Sequence, residues 1–161
     1  MCNIISNSED ETIAIGRIVA SYLYKGMVIV LSGDLGAGKT LFVSGMLDYF
    51  GKREEVSSPT FTIVNEYDLN DSLKLFHFDV YRLESSDEFL AIGGDEFFYQ
   101  GVSLIEWGER IADLLPKDCL TIKIEKYPED INKRKFSFLK NNNVENSMFD
   151  KMLEGISNSN I

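Results

Sequence analysis

The chain has 161 residues, enough for one domain that removes roughly 70% of its unfolded surface from water. With 44% hydrophobic and 12% aromatic residues it can fill a core, and its two cysteines, with no CxxC pair, exclude a disulfide framework. A formal charge of −10, from 26 acidic and 16 basic residues, repels bare phosphate backbones and argues against direct, unaided binding of RNA or DNA. The start MCNIISNSEDE lacks the basic and apolar regions of a signal peptide, and no run approaches the ~20 apolar residues of a membrane span, so the expected location is cytoplasmic.

Ser8 followed by Glu11 has the spacing of a capping box. Behind it Ile15, Ile18, Val19, Tyr22 and Leu23 fall on one face of a helix that Gly26 can close. Residues 27 to 32 read as a buried strand, and Lys39 to Phe50 as a helix ending at Gly51. Helix, strand, glycine loop and helix make an α/β arrangement.

FTIVNEYDL (61–69) and LKLFHFDVY (73–81) are strand-like runs joined by Asn70, Asp71 and Ser72, which predicts an antiparallel hairpin. Residues 86 to 99 are predicted helical with a break at Gly93-Gly94. VSLIEW (102–107) reads as a short buried strand followed by a helix that stops at Pro116. CLTIKIEKY and KRKFSFLK predict a second hairpin, with the basic cluster Lys133, Arg134 and Lys135 at its solvated end. The fold class is therefore α/β: a P-loop NTPase-like mixed sheet flanked by helices, with antiparallel hairpins and with parallel strands near the glycine loop. After Lys140 the chain turns polar through Asn141, Asn142 and Asn143. Val144, Met148, Met152 and Ile156 repeat at four-residue spacing, with Phe149 and Leu153 alongside. They predict a short helix in the tail 141–161 of a single domain 1–161, packed on the body or held out for a partner.

Gly33, Gly38, Lys39 and Thr40 fit G-x-x-x-x-G-K-[ST]. Such a loop curls backbone N–H groups around phosphates and aims the positive end of the next helix at them. Gly33, Asp34, Leu35, Gly36, Ala37, Gly38, Lys39, Thr40 and Leu41 are the expected nucleotide-binding run. Lys39 would reach the β- and γ-phosphates, and the Thr40 hydroxyl would bind Mg²⁺. The metal also needs an acid on a neighbouring strand. Glu106, at the end of Val102-Ser103-Leu104-Ile105, is the first candidate and Asp79 the second. His77 and Asp79 are two apart on a strand and share a face. His77 reads as structural, while Asp79 would orient the attacking water or hold a loop that senses the γ-phosphate. Thr60, in Ser58-Pro59-Thr60, is placed to act as a switch on Mg²⁺ or γ-phosphate. The guanine-selecting N-K-x-D is missing, since Asn132-Lys133-Arg134-Lys135 has lysine where aspartate is needed, so ATP is the expected nucleotide.

Taken in order, GDLGAGKT, SSPTFTIVNEY, HFDVYRL and LIEWGER resemble the TsaE (YjeE) family. These are small bacterial ATPases required for threonylcarbamoyl modification of the adenosine next to the tRNA anticodon. The resemblance covers about residues 8 to 127. It implies ATP, turned over to ADP, and Mg²⁺ lying between the phosphate loop and the hairpin. It implies that Thr40 and Glu106 bind the metal and that Asp79 and Thr60 support hydrolysis beside Lys39. It further implies a docking partner, the TsaB–TsaD pair, in which TsaD performs the transfer. The family covers the base with its N-terminal helix start and a late basic segment, here Glu9–Thr12 and Asn132–Arg134, which puts Glu9, Thr12 and Lys133 at the nucleotide.

Two other classes share the phosphate loop: a small P-loop kinase for a nucleoside or metabolite, and a binding module that nucleotide only locks. A kinase lid needs arginines, and here Arg17, Arg53, Arg82, Arg110 and Arg134 are scattered. Only Arg82 adjoins the phosphate loop, SPT or HFD segments in sequence. Hydrolysis is therefore expected to be slow in the isolated chain and faster with its partner.

Overall fold

The computed structural model describes residues 2–140 and 147–159. Seven strands form one mixed sheet: β1 (Cys2–Ser6), β2 (Val28–Ser32), β3 (Val64–Asn70), β4 (Leu73–Asp79), β5 (Val102–Glu106), β6 (Leu120–Tyr127) and β7 (Asp130–Lys140). Their spatial order is β1-β7-β6-β2-β5-β4-β3. The central pairs β6/β2, β2/β5 and β5/β4 are parallel. Outside them lie the two expected antiparallel hairpins, β3/β4 and β6/β7, and beyond β7 the antiparallel strand β1. The β3–β4 turn is closed by Asn70, whose Oδ1 accepts the Ser72 N–H.

Alternation along the central strands splits the core between the two faces. Ile29 and Leu31 of β2 join Leu104, Ile122, Phe136 and Phe138 on one face. Val28 and Val30 join Phe76, Phe78, Ile105 and Phe89 on the other. Helices α1 (Glu9–Ala20) and α2 (Lys39–Tyr49) cover the first face. Their backbones touch: a Cβ on Gly45 would lie 2.3 Å from the Ile13 carbonyl oxygen, and one on Gly16 would lie 2.4 Å from that of Phe42. Any side chain at either glycine would push the helices apart, and α2 carries the phosphate loop at its start. The second face is covered by α3 (Ser86–Ala91) and a 3₁₀ helix at Gly94–Tyr99, with Gly93 in a left-handed turn between them.

Several boundaries differ from the pattern in the sequence. Ser8 caps α1 by accepting the Glu11 N–H, but the Glu11 carboxylate returns to Asn7. The helix stops at Ala20, before Tyr22 and Leu23, whose N–H groups tighten to the i−3 carbonyls of Val19 and Ala20, while the Ser21 hydroxyl bonds back to the Ile18 carbonyl. Gly26 (φ 91°) instead makes the turn into β2 and donates its N–H to Gly101. Strand β3 begins at Val64 rather than Phe61: the N–H groups of Thr62 and Ile63 both turn back to the Pro59 carbonyl, and Ile63 is left-handed at φ 69°. The helix expected after β5 is only a 3₁₀ turn, Gly108–Ile111. Trp107 (φ 63°) reverses the chain there, and Gly108 is pressed against the Val30 side chain. Strand β1 has no counterpart in the sequence reading. Its five residues give too little alternation to register, and pairing with β7 creates it. A tail helix, α4 (Ser147–Asn158), forms and buries Phe149, Met152 and Ile156 against the body. Asn141, Asn142, Asn143 and Val144 lie outside the described residues.

Candidate functional site

Strand β2 runs through Ser32 into the glycine loop, and α2 starts at Lys39. Gly33 has φ 149°, and a Cβ there would lie 2.3 Å from the Ile124 carbonyl oxygen, so no other residue fits against β6. Gly38, the N-cap, is left-handed at φ 106° and offers no side-chain cap. The first N–H groups of α2 are thus left to an outside acceptor, with the helix dipole favouring an anion.

Lys39 is nine-tenths buried despite its charge. Its Nζ donates to the carbonyls of Gly33 (2.6 Å) and Asp34 (3.3 Å), lies 3.5 Å from Glu106 Oε2, and sits 5.7 Å above the Trp107 ring. These contacts compensate an ammonium that would otherwise be expensive to bury.

The acids come from the carboxyl ends of the parallel strands, where α/β sheets place their ligands. Glu106 of β5 pairs in register with Leu31 of β2 on one side and Asp79 of β4 on the other. Both carboxylates are buried. Asp79 Oδ1 accepts the Tyr81 N–H at 3.0 Å, while Glu106 Oε1 lies 2.9 Å from Nε2 of the fully buried His77. Ser58 and Thr60 approach from the loop before β3, with their hydroxyls 2.7 Å apart. That loop is tied down through Ser57, which meets Asn65 and the Tyr67 hydroxyl.

A cleft of about 690 Å³ gathers Lys39, Thr40, Thr60, Asp79 and Glu106. Glu9, Leu35, Gly36, Gly38 and Leu41 also line it, whereas Gly33 and Asp34 line a cavity of about 220 Å³ that shares Lys39 and Trp107 with it. Ala37 is buried under the loop. Thr12 is turned inward, its hydroxyl meeting Ser6 and the Ser8 carbonyl. Lys133 faces Asp130 at 3.9 Å and is not on the cleft wall. Its neighbour Arg134 is, with its Nε 3.3 Å from where a Gly38 Cβ would stand. Tyr81 and Trp107 also line the wall, their rings tilted at 54° with centroids 4.9 Å apart. The resemblance named the segment Asn132–Arg134 but singled out Lys133 within it, because adjacent strand residues face opposite ways and only the register of β7 selects between them.

Among the described residues, no group of three or more His, Cys, Asp or Glu could cage a metal ion. The cleft's hard oxygens, Thr40 Oγ1 with the Glu106 and Asp79 carboxylates, instead suit Mg²⁺. That ion takes one or two carboxylates and fills its remaining positions with water and substrate phosphates. Elsewhere the chemistry is quiet: burial pushes the Cys119 thiol up from its ordinary value.

Residues 6–136 match the sequence model of the family described as threonylcarbamoyl adenosine biosynthesis protein TsaE. The tRNA threonylcarbamoyladenosine biosynthesis protein TsaE of Treponema pallidum is 46% identical over 121 residues, spanning 74% of this chain and 88% of that protein. The Bacillus subtilis protein of the same name is 46% identical over 123 residues, 75% of each. The crystal structure of Bacillus subtilis YdiB superposes with a TM-score of 0.71 at 34% identity, covering 97% of this chain and 93% of that one.

Proposed function

The chain belongs to the TsaE family, and from that premise we propose that it acts in tRNA threonylcarbamoyladenosine biosynthesis as a single-domain ATPase serving a TsaB–TsaD pair. The observation that carries the reading is the convergence of Lys39, Thr40, Thr60, Asp79 and Glu106 on one cleft at the start of α2. The strongly acidic chain is suited to resetting a protein partner rather than to holding RNA itself.

In this reading the uncapped N–H groups of α2 and its loop cradle the phosphates of ATP. Lys39 exchanges the Gly33 and Asp34 carbonyls for β- and γ-phosphate oxygens, a short move because those carbonyls belong to the same loop. Thr40 and Glu106 hold Mg²⁺, which when bound draws off charge from the β- and γ-oxygens. Asp79, fixed through Oδ1 by the Tyr81 N–H, keeps its other oxygen for the attacking water. Thr60 meets the γ-phosphate side from an exposed turn whose neighbour Phe61 is 88% exposed, a loop that a docked partner can press into place. Glu9 and Arg134, which line the cleft, would meet the base.

The test is calorimetric ATP binding paired with a phosphate-release assay, with and without candidate small-molecule acceptors. Binding near the micromolar range, with phosphate released to water, is expected. Transfer to an acceptor would make the protein a kinase, and binding without release would make it a nucleotide-locked module.

A further inference from the structure

The two oxygens of Glu106 keep different company. Oε2 lies 3.5 Å from Lys39 Nζ, on the cleft side, whereas Oε1 lies 2.9 Å from Nε2 of His77, the only histidine in the chain. His77 stands beside Leu104 in the β4/β5 register, so Glu106 is its diagonal neighbour on the same face. The imidazole has no exposed surface, and its Nδ1 has no hydrogen-bond partner among the described residues.

A carboxylate only accepts, so Nε2 carries the proton and donates, and Nδ1 is the bare lone pair. An apolar side chain would fill this place in the sheet without orphaning a ring nitrogen in the core. Among the described residues the imidazole's one polar contact is Glu106, so direction of that carboxylate is what it adds over an apolar residue.

We infer that His77 is a positioning residue: by donating from Nε2 to Glu106 Oε1 it holds Oε2 toward the Lys39 side of the cleft, ready for Mg²⁺. The inference rests on the reading of Glu106 as a metal ligand. Without the imidazole, the carboxylate is free to swing fully onto the Lys39 ammonium. That collapse would withdraw a ligand from the metal. Partners that orient a metal ligand typically cost about 10–100-fold in metal affinity when removed.

The experiment titrates a non-hydrolysable ATP analogue by calorimetry at increasing Mg²⁺ and in EDTA. It uses the wild type, His77→Leu, His77→Gln and Glu106→Ala, with a thermal melt for each. We expect His77→Leu to raise the Mg²⁺ concentration for half-maximal tightening by about 10–100-fold, while affinity in EDTA changes far less. His77→Gln, whose amide donates from a similar place, should recover most of the loss even if both variants melt earlier. A folded His77→Leu protein with wild-type Mg²⁺ dependence overturns the inference. Glu106→Ala separates the two claims: if Mg²⁺ still tightens binding normally there, it is the metal-ligand reading that has failed. A ¹⁵N spectrum of the single histidine decides independently of whether any variant folds. An Nε2–H tautomer supports the inference and an Nδ1–H tautomer overturns it.

Discussion

The two ends of the sheet are built from opposite materials. On the β1-β7-β6 side the interior is Ile122, Ile124, Phe136 and Phe138, with Ser6 and Ser137 as its buried polar groups among the described residues. On the β2-β5-β4 side, Lys39, His77, Asp79, Ser103 and Glu106 are all buried within a few residues of the strand ends. The first arrangement maximises the transfer of apolar area from water. The second holds charges that cost free energy to bury and are tolerated because each has a partner. Stability and chemistry are thus assigned to different strands, and they should fail separately.

The largest effect should come from the antiparallel end. Phe138→Ala should destabilise the fold by about 3–5 kcal/mol in chemical denaturation, since Phe138 is fully buried and stacked on Phe136. The protein that remains folded should bind nucleotide normally. Lost affinity in that folded fraction would mean that the two ends are not independent. Lys39→Ala should do the reverse, lowering hydrolysis by about 10²–10³-fold while the melting transition moves far less than for Phe138→Ala. Wild-type turnover in Lys39→Ala would remove the phosphate loop from the account.

Trp107 reports on the polar end alone, because it is the single tryptophan and lies under Lys39 and against Tyr81. Nucleotide with Mg²⁺ should change its emission. A flat fluorescence titration beside a calorimetric signal would place binding away from Trp107. The smallest effect is expected at the α1–α2 surface, where half-exposed Arg17 pairs with Asp48. Arg17→Ala should cost less than about 1 kcal/mol, and less still in high salt.

The same contrast explains what the sequence could reveal. The phosphate loop was legible because its chemistry demands glycines at fixed spacing just before a helix, and no tertiary context is needed to recognise it. Both hairpins were legible for a similarly local reason, a short polar turn between alternating runs. Long-range pairing was not. Strand β1 exists only because β7 offers it an edge, and Arg134 rather than Lys133 reaches the cleft only because of the β7 register. Nor could composition show that His77, on its face a core histidine, ends 2.9 Å from Glu106. That contact depends on β4 and β5 lying side by side with 22 residues between Leu73–Asp79 and Val102–Glu106 left to cross over. The helix expected after β5 gives way to a short turn for a similar reason, since Trp107 (φ 63°) reverses the chain and brings Gly108 against the Val30 side chain.

The central claim is that the polar end is a hydrolytic site completed by a partner. Arg134 rests against Gly38, with Nη1 bound to the Ile131 and Lys133 carbonyls. The turn carrying Thr60 has its hydrogen-bonded hydroxyls at the surface. A partner can therefore act by ordering that turn or by adding an arginine, and the latter accelerates P-loop hydrolysis by about 10³–10⁵-fold. The direct measurement is steady-state phosphate release by the chain alone and with the TsaB–TsaD pair, at low and high salt. The account predicts slow release alone, a marked rise with the pair, and weakening of that rise by salt as the acidic surface is screened. Fast release by the isolated chain, unchanged by the pair at either salt, would contradict it.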